Sequence, residues 1–282
     1  MAASLLKLVA GIALAYGLLL VLLYLYQDRL VYFPLRALDA TPGALGLAYQ
    51  DVHLTTEDGV RLHGWFVPAP DARATVLHLH GNGGNISRRL ERLAAFQRLG
   101  LDALLIDYRG YGQSAGRPNE QGTYRDALAA WRYLTGNRGL APESIVIHGE
   151  SLGGAIAAWL AARTEPGALV LESAFTSAVE LGAAAYPWLP VRLLARHRYP
   201  TRTHLGRVRA PVLVIHSRDD DIVPFAHGEA LYAAAPAPKR FLEIGGDHNA
   251  GFLSSRERYL ADYDAFLTSV LGEARSRPAG GG

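Results

Sequence analysis

One serine of this chain lies in the setting that a catalytic nucleophile requires. Residues 149–154 read GESLGG, and they stand between an apolar run and an alanine-rich stretch. A strand that turns at once into a helix crowds the residue at the turn, so glycines two positions on either side avoid a clash. Such a turn lifts the Ser151 hydroxyl above the sheet and directs the Leu152 amide toward the same point. We predict that Ser151 is a nucleophile; the alternative is a serine that caps its helix.

A serine nucleophile needs a base, and the base needs an acid that orients it. His248, in the sequence GGDHN, follows the last predicted strand on a glycine-rich turn and is the best placed of the ten histidines. The preceding strand ends in HSRDDDIVP, which offers three adjacent aspartates. We choose Asp220 as the orienting acid. Asp219 and Asp221 are expected to serve the turn through side-chain bonds to nearby backbone amides.

A second backbone amide for a developing oxyanion is expected from the loop after an early central strand. That loop reads HGNGGN at residues 80–85, and its glycines let the backbone approach a ligand closely. The amide of Asn82 is the natural partner of the Leu152 amide. A phosphate-binding loop is the alternative for a glycine-rich turn, but neither common phosphate spacing is present.

The elements that must position these residues alternate along the chain. Short runs rich in valine, isoleucine and leucine are typical of strands buried on both faces of a parallel sheet, and amphipathic stretches separate them. Glu57-Asp58-Gly59 joins two further runs as an antiparallel hairpin. The pattern predicts an α/β fold with a doubly wound, mostly parallel sheet of about eight strands. The predicted strands are 52–56, 60–68, 75–80, 103–107, 144–148, 168–171, 211–216 and 240–244, and the predicted helices are 88–99, 124–134, 154–163, 226–235 and 257–271.

One connection, after the sixth strand, is longer than a crossover requires. Residues 176–210 contain the segment Tyr-Pro-Trp-Leu-Pro at 186–190 and then six arginines, with Glu180 as their only acid. We interpret this segment as a small cap-like insertion over the active-site edge. The arginines either meet anionic head groups, with Tyr186 and Trp188 at a membrane interface, or form a solvated face.

The N-terminus is apolar enough to span a membrane. From Leu8 to Tyr26 no residue is charged, and as a helix this run is about 28 Å long, close to the hydrocarbon thickness of a bilayer. A cleaved signal peptide and a buried core helix are the alternatives; the first lacks a good cleavage site here, and the second rarely lacks a polar face. We predict a single-pass anchor at residues 1–28, a catalytic domain at 29–272 and a disordered tail at 273–282.

Composition excludes several function classes. The chain of 282 residues has no cysteine, which rules out a disulfide framework, a thiolate metal site and a cysteine nucleophile. Its 28 basic and 26 acidic residues leave a net charge of +2, which gives no reason to expect a nucleic-acid partner. The charges flanking the apolar run are nearly balanced, so orientation in a membrane is weakly specified. We favour an extracytoplasmic or periplasmic catalytic domain, at the inner membrane if the source is bacterial.

The motifs HGNGGN (80–85), DYRGYGQSAGRP (107–118), GESLGG (149–154), HSRDDDIVP (216–224) and GGDHN (245–249) occur in this order. Together they resemble the α/β-hydrolases, over about residues 29–271. They are most similar to membrane-anchored serine hydrolases of the bud-emergence (BEM46-like) type and the mammalian α/β-hydrolase-domain depalmitoylases. The resemblance implies Ser151 as nucleophile, His248 as base and Asp220 as orienting acid, with an oxyanion hole formed by the backbone amides of Asn82 and Leu152.

One position departs from this family pattern. Ser217 stands where many relatives have glycine, and because serine is small we expect no consequence. The apolar N-terminus followed by LVYFP at 30–34 is also typical of the branch.

We predict a membrane-anchored serine hydrolase that cleaves carboxylic esters or thioesters through an acyl-enzyme intermediate, without a metal or organic cofactor. The expected partners are the membrane, through the N-terminal helix, and a small-molecule or lipid-like acyl substrate. A serine aminopeptidase-like peptidase is the alternative; such enzymes usually bear a larger cap and an acidic pocket for the substrate amine. A catalytically inactive, membrane-tethered binding protein is a further alternative.

Overall fold

A twisted sheet of eight strands forms the centre of the molecule. The computed structural model describes residues 1–276, and two further short strands lie outside the central sheet. The strands are β1 (Phe33–Pro34), β2 (Gln50–Thr55), β3 (Arg61–Val67), β4 (Ala74–Leu79), β5 (Gly83–Gly84), β6 (Leu101–Ile106), β7 (Ile145–Glu150), β8 (Ala168–Glu172), β9 (Val212–Ser217) and β10 (Lys239–Ile244).

The order of the central sheet is β10-β9-β8-β7-β4-β6-β3-β2. Neighbouring strands run parallel except at one edge, where β3 is antiparallel to both β2 and β6. The sequence prediction of a mostly parallel, eight-stranded α/β sheet with a hairpin at its edge is confirmed. The pair β1 and β5 forms a separate two-stranded ribbon that the sequence analysis did not anticipate.

Helices cover both faces of the sheet, as a doubly wound fold requires. Helices α4, α5, α8 and α9 contribute to one hydrophobic cluster, and α3 and α11 contribute to the other. The helices are α1 (Ala2–Leu25), α2 (Gln27–Val31), α3 (Leu90–Arg98), α4 (Glu120–Arg132), α5 (Leu152–Ala161), α6 (Ala178–Ala185), α7 (Val191–Leu194), α8 (Thr201–Leu205), α9 (Phe225–Ala234), α10 (Gly251–Ser254) and α11 (Arg256–Ser276).

The unbroken apolar runs of the central strands follow from this two-sided burial. In β4, Leu77 packs into one cluster and the adjacent Val76 into the other, because side chains alternate between the faces of a strand. Burying a side chain of this size contributes roughly 1.5–3 kcal/mol relative to leaving it exposed. Both faces of the central strands are buried, which is why their sequences lack the alternation of a half-exposed strand.

Several element boundaries differ from the sequence prediction. Helix α4 begins at Glu120 rather than at Tyr124, because the Asn119 side chain caps it by accepting a hydrogen bond of 2.8 Å from the Gly122 amide. The segment predicted as an insertion, 176–210, contains α6, α7 and α8. Helix α11 continues to Ser276, four residues into the predicted tail, and residues 277–282 of that tail lie outside the described part of the chain.

Helix α1 has no buried residue, which excludes the core-helix interpretation of the N-terminus. It has a mean hydropathy of 2.5 and is the one helix in residues 1–276 that is long and apolar enough to cross a membrane. A signal sequence has the same properties, so the helix by itself does not distinguish an anchor from a signal.

Candidate active site

Ser151 occupies a strained turn between β7 and α5. Its backbone has φ +53° and ψ −115°, a conformation that side chains other than glycine rarely adopt. The Ser151 amide donates a hydrogen bond of 2.8 Å to the carbonyl oxygen of Glu172, at the end of the neighbouring β8. Strain of this kind persists where the surroundings over-determine the conformation, as they do at many active sites.

The glycines around Ser151 are required by close packing. A Cβ atom on Gly153 would lie 1.9 Å from the carbonyl oxygen of Leu79, at the end of β4. A Cβ atom on Gly149 would lie 2.3 Å from the Gly153 carbonyl oxygen. Both distances are far below van der Waals contact, so side chains at either position would push α5 away from the sheet. This is the crowding that the sequence pattern predicts.

The structure brings the three predicted side chains together. The His248 imidazole lies with Nε2 3.0 Å from Ser151 Oγ and Nδ1 2.8 Å from Asp220 Oδ2. Both distances are within hydrogen-bonding range, so a proton can pass from the hydroxyl to Nε2 while Nδ1–H remains hydrogen-bonded to the carboxylate. Asp220 is anchored by its own turn, because Oδ1 accepts the backbone amides of Ile222 at 3.0 Å and Val223 at 2.7 Å.

The charges and hydrogen bonds around His248 suit a general base. Burial disfavours the charged imidazolium of His248, but the hydrogen bond and the charge of Asp220 outweigh burial, so the pKa of His248 lies above its usual value. Burial likewise opposes the charge of Asp220, yet its bonds to His248 and to the Val223 amide leave the pKa of Asp220 below its usual value. The carboxylate therefore stays ionised and keeps Nδ1 protonated.

The loop that carries His248 is fastened to the turn that carries Asp220. We call residues 245–249 the histidine loop. Asp221 Oδ1 accepts the His248 amide at 3.1 Å, Asp219 Oδ2 accepts the Gly246 amide at 3.3 Å, and Ser217 Oγ donates to the Gly246 carbonyl oxygen at 2.5 Å. The expectation for Asp219 and Asp221 is thus corrected, because they bind the histidine loop. Ser217, for which no consequence is expected, also takes part, because its hydroxyl bridges the Asp219 amide and the Gly246 carbonyl oxygen.

The predicted oxyanion donors lie on adjacent strand ends. We call residues 81–85 the glycine loop. Leu79 of β4 and Gly149 of β7 are paired in the sheet. Asn82 lies three residues after Leu79, and Leu152 lies three residues after Gly149, so both follow their strands at the same edge of the sheet. A Cβ atom on Gly81 would lie 3.1 Å from a carboxylate oxygen of Glu150, which places the glycine loop against the nucleophile turn. Leu152 is the first residue of α5, where backbone amides are free to bind an anion.

A buried ion-pair network lies beneath the site, and sequence reasoning missed it. Arg92 of α3 donates to Glu172 at 2.7 Å, and Glu172 also accepts from Tyr259 at 2.7 Å and contacts His148 Nε2 at 3.1 Å. Burial raises the pKa of Glu172, but Arg92 and His148 lower it more, so the carboxylate stays charged. The Arg92 guanidinium also lies 3.9 Å from the ring centroid of Phe252, three residues after the histidine loop. The network joins α3, β7 and α11 through Glu172, whose backbone carbonyl accepts the Ser151 amide.

The insertion contacts helix α1 and the residues that follow it. Tyr16 in the middle of α1 donates to the Trp188 carbonyl oxygen at 2.8 Å. The Gln27 side chain donates to the Leu194 carbonyl oxygen at 2.8 Å and accepts the Arg196 amide at 2.7 Å. These contacts place the aromatic segment of the insertion beside the apolar helix.

Proteins of similar sequence include α/β-hydrolases. The chain is 43% identical over 273 residues to the uncharacterized protein Rv2307c of Mycobacterium tuberculosis, over 95% of this chain and 97% of that protein. It is 34% identical to the alpha/beta hydrolase domain-containing protein WAV2 of Arabidopsis thaliana, over 96% of this chain and 94% of the relative. Residues 70–203 match a family model described as serine aminopeptidase, S33.

Solved structures share the fold. The Pyrococcus furiosus esterase Pf2001 superposes with a TM-score of 0.71 at 22% identity, over 85% of this chain and 99% of that one. An alpha-beta hydrolase from Vibrio vulnificus superposes with a TM-score of 0.64 at 25% identity, over 80% of this chain and 82% of that one. The identities are low, so these structures establish the architecture and leave substrate choice to the residues of this chain.

Proposed function

The chain belongs to the α/β-hydrolase superfamily, and on that premise we propose that it is a serine hydrolase that cleaves carboxylic esters or thioesters through an acyl-enzyme intermediate. The observation that carries the proposal is the continuous hydrogen-bonded chain from Asp220 through His248 to Ser151. Each side chain lies within hydrogen-bonding distance of the next, and Ser151 directly precedes the first residue of α5.

In the first half of the reaction, Ser151 Oγ attacks the acyl carbonyl carbon while His248 Nε2 takes the hydroxyl proton. The carbonyl oxygen becomes an oxyanion, which the Asn82 and Leu152 amides stabilise by hydrogen bonding. The tetrahedral intermediate collapses, and His248 returns the proton to the leaving alcohol or thiol. In the second half a water molecule, deprotonated by His248, attacks the acyl-enzyme and releases the acid with Ser151 regenerated.

Two glutamates, one in the insertion and one beside the nucleophile, are paired with arginines, which disfavours them as the binding site for the free N-terminus of a peptide. An aminopeptidase would need an unpaired carboxylate to bind the substrate ammonium group. Glu180 of the insertion is already bonded to Thr176 and to Arg202. Glu150, beside the nucleophile, lies 3.4 Å from Arg89. Both carboxylates are therefore occupied, although the matched family description keeps the peptidase as the second candidate.

The decisive variant is Ser151→Ala. Wild-type protein should hydrolyse p-nitrophenyl butyrate and an acyl thioester and should react with a fluorophosphonate probe, whereas Ser151→Ala should lose labelling and all measurable turnover. An aminoacyl p-nitroanilide in the same panel separates the candidates. Faster turnover of the anilide than of either ester would favour the peptidase, and undiminished hydrolysis by Ser151→Ala would reject the nucleophile.

We further propose that α1 anchors the protein in a bilayer, as in the membrane-anchored branch that the motifs resemble, and that the substrate is an amphiphilic acyl compound. Tyr16 lies nine residues before the end of α1, so its contact with Trp188 lies about 13 Å inside that end along the helix. If α1 spans the bilayer, an insertion held at that depth dips below the head groups and contacts the acyl chains. Its exposed apolar side chains support this, because Trp188 is 60% and Leu193 is 86% exposed.

Vesicles provide the test of this placement. We expect a long-chain lysophospholipid in anionic vesicles to be hydrolysed faster than in neutral ones, because the insertion is rich in arginine. Leu193→Ser should raise the apparent KM for the vesicle substrate more than for p-nitrophenyl butyrate. Hydrolysis rates that change neither with lipid charge nor with the Leu193→Ser substitution would count against this placement of the insertion. A reporter fused after Leu271 tests the proposed extracytoplasmic side.

A further inference from the structure

The chain that leaves α1 runs directly to the glycine loop. We call residues 31–37 the exit segment. Within it, β1 (Phe33–Pro34) pairs in parallel with β5 (Gly83–Gly84) of the glycine loop. The pairing continues one residue further, because the Leu35 amide donates to the Gly84 carbonyl oxygen at 3.0 Å. The exit segment therefore acts as an additional strand for the glycine loop, outside the central sheet.

The side chain of Asn82 is held from two directions. Its Nδ2 donates to the carbonyl oxygen of Val31 in the exit segment, and its Oδ1 accepts the Tyr111 hydroxyl at 2.9 Å. Tyr111 is fully buried. Burial raises the pKa of Tyr111 above its usual value, so the hydroxyl stays protonated and continues to donate. The amide proposed to bind the oxyanion thus belongs to a residue whose side chain is fixed at both ends.

The far end of the glycine loop is tied to the same segment. Asn85 Nδ2 donates to the carbonyl oxygens of Leu35 at 3.1 Å and Ala37 at 2.6 Å. Leu35 in turn accepts the Gly112 amide at 2.9 Å. The side-chain amide groups of both asparagines of the glycine loop therefore donate hydrogen bonds to carbonyl oxygens of the exit segment.

The glycine loop needs external support because its own backbone is permissive. Gly84 has φ +87°, a left-handed conformation that glycine adopts freely, and Gly83 adds further freedom. Stabilisation of an oxyanion depends on donors that are already in place when charge develops. A loop free to sample other conformations loses part of that benefit.

We propose that the exit segment, together with Tyr111, is a positioning element for catalysis: it fixes the Asn82 amide for the oxyanion. The proposal rests on the serine-hydrolase function above. One consequence concerns the N-terminus itself. Because Val31 lies only six residues after the end of α1, the exit segment must remain with the catalytic domain whether α1 stays in the membrane or is removed.

Four full-length variants test the proposal by steady-state kinetics with p-nitrophenyl butyrate. Asn82→Ala keeps the backbone amide but loses both tethers, and we expect kcat to fall about 10- to 100-fold with KM within about twofold, since only the transition state uses the oxyanion donor. Tyr111→Phe loses one tether, and we expect about a tenfold fall. The double variant should be no slower than Asn82→Ala, because both changes break the same connection.

Tyr108→Phe is the matched control. Tyr108 is equally buried and lies with its ring 5.9 Å from that of Tyr111, but its hydroxyl donates to the His80 carbonyl oxygen at 3.0 Å. We expect its kcat to stay within about twofold of wild type. An equal loss in Tyr108→Phe and Tyr111→Phe, or an unchanged kcat in Asn82→Ala, overturns the proposal.

Hydrogen exchange separates this proposal from the function on which it rests. Peptides covering residues 31–37 and 81–85 should exchange faster in Asn82→Ala and Tyr111→Phe than in wild type and Tyr108→Phe. If wild-type protein neither hydrolyses esters nor reacts with the fluorophosphonate, the hydrolase function fails while exchange still reports on the tether. Unchanged exchange in both variants overturns the tether even in an active enzyme.

Discussion

The histidine loop and the glycine loop carry the two halves of the proposed chemistry, and they are held in different ways. The histidine loop is fastened by side chains of one neighbouring turn, through Ser217, Asp219 and Asp221. The glycine loop is fastened by a segment about 50 residues earlier in the chain that belongs to no strand of the central sheet. The histidine loop is therefore attached to the turn after a strand of the central sheet, and the glycine loop is attached to the N-terminal part of the chain.

The reason lies in the strand order. Strands β9 and β10 are parallel neighbours, so the turn after one and the loop after the other emerge side by side. Strand β4 lies between β7 and β6, and its following loop has the nucleophile turn against it. The exit segment pairs with that loop from outside the sheet. Damage to the first attachment should alter proton transfer, and damage to the second should alter oxyanion stabilisation alone.

The largest effect is expected at the centre of the histidine side. Asp220→Asn should lower kcat by about 10⁴-fold, because the imidazole loses both its orientation and the charge that stabilises it when protonated. Asp220 raises the pKa of His248, whereas burial lowers it. His248 acts as a base only when it is neutral, and its pKa should fall without Asp220. The fall in the remaining activity at acid pH, the acid limb of the pH–rate profile, should therefore move to lower pH. A pH profile of kcat/KM checks this, and a limb that stays or moves upward would contradict the assignment.

An intermediate effect is expected at Asp221. Asp221→Ala removes the acceptor of the His248 amide, and we expect kcat to fall about tenfold, as for a lost hydrogen bond to a charged group. The acid limb should move slightly to lower pH, because the Asp221 charge also raises the pKa of His248. Asp221→Asn is the matched control: it keeps an acceptor oxygen and should recover most of kcat while keeping the shifted limb. Tyr111→Phe, on the glycine side, should leave the limb in place.

The smallest effect is expected at Ser217. Ser217→Gly removes a hydroxyl that bridges the Asp219 amide and the Gly246 carbonyl oxygen. One such hydrogen bond contributes about 1 kcal/mol, so we expect kcat to fall no more than about fivefold and the melting temperature to drop by a few degrees. A loss as large as that of Asp221→Ala would mean that the two loops depend on Ser217 more than its contacts indicate.

The sequence was sufficient to propose the three side chains of the site because each follows an apolar strand. Ser151, Asp220 and His248 lie at the carboxyl ends of β7, β9 and β10, and those ends gather at one edge of a parallel sheet. The partners of Asp219 and Asp221 were not predictable, because the conformation of the turn and the position of the neighbouring loop decide which backbone amides their carboxylates reach.

The contacts of the exit segment were beyond sequence reasoning for a different reason. Strands of two residues, such as Phe33–Pro34 and Gly83–Gly84, carry no periodicity, and nothing in their composition indicates a partner. The motif LVYFP at 30–34 is recognisable in the sequence only as a family feature. Its contact with Asn82 depends on where α1 enters the domain, which is a property of the packed molecule.

By itself the sequence determined the sheet, the nucleophile turn and the apolar helix, because burial, steric crowding and hydrophobic length act over a few neighbouring residues. Only the tertiary structure decided how the loops are held: the histidine loop by the turn beside it, and the glycine loop by the chain that leaves α1. These attachments join residues far apart in sequence, and their geometry follows from the order and twist of the strands rather than from any local pattern.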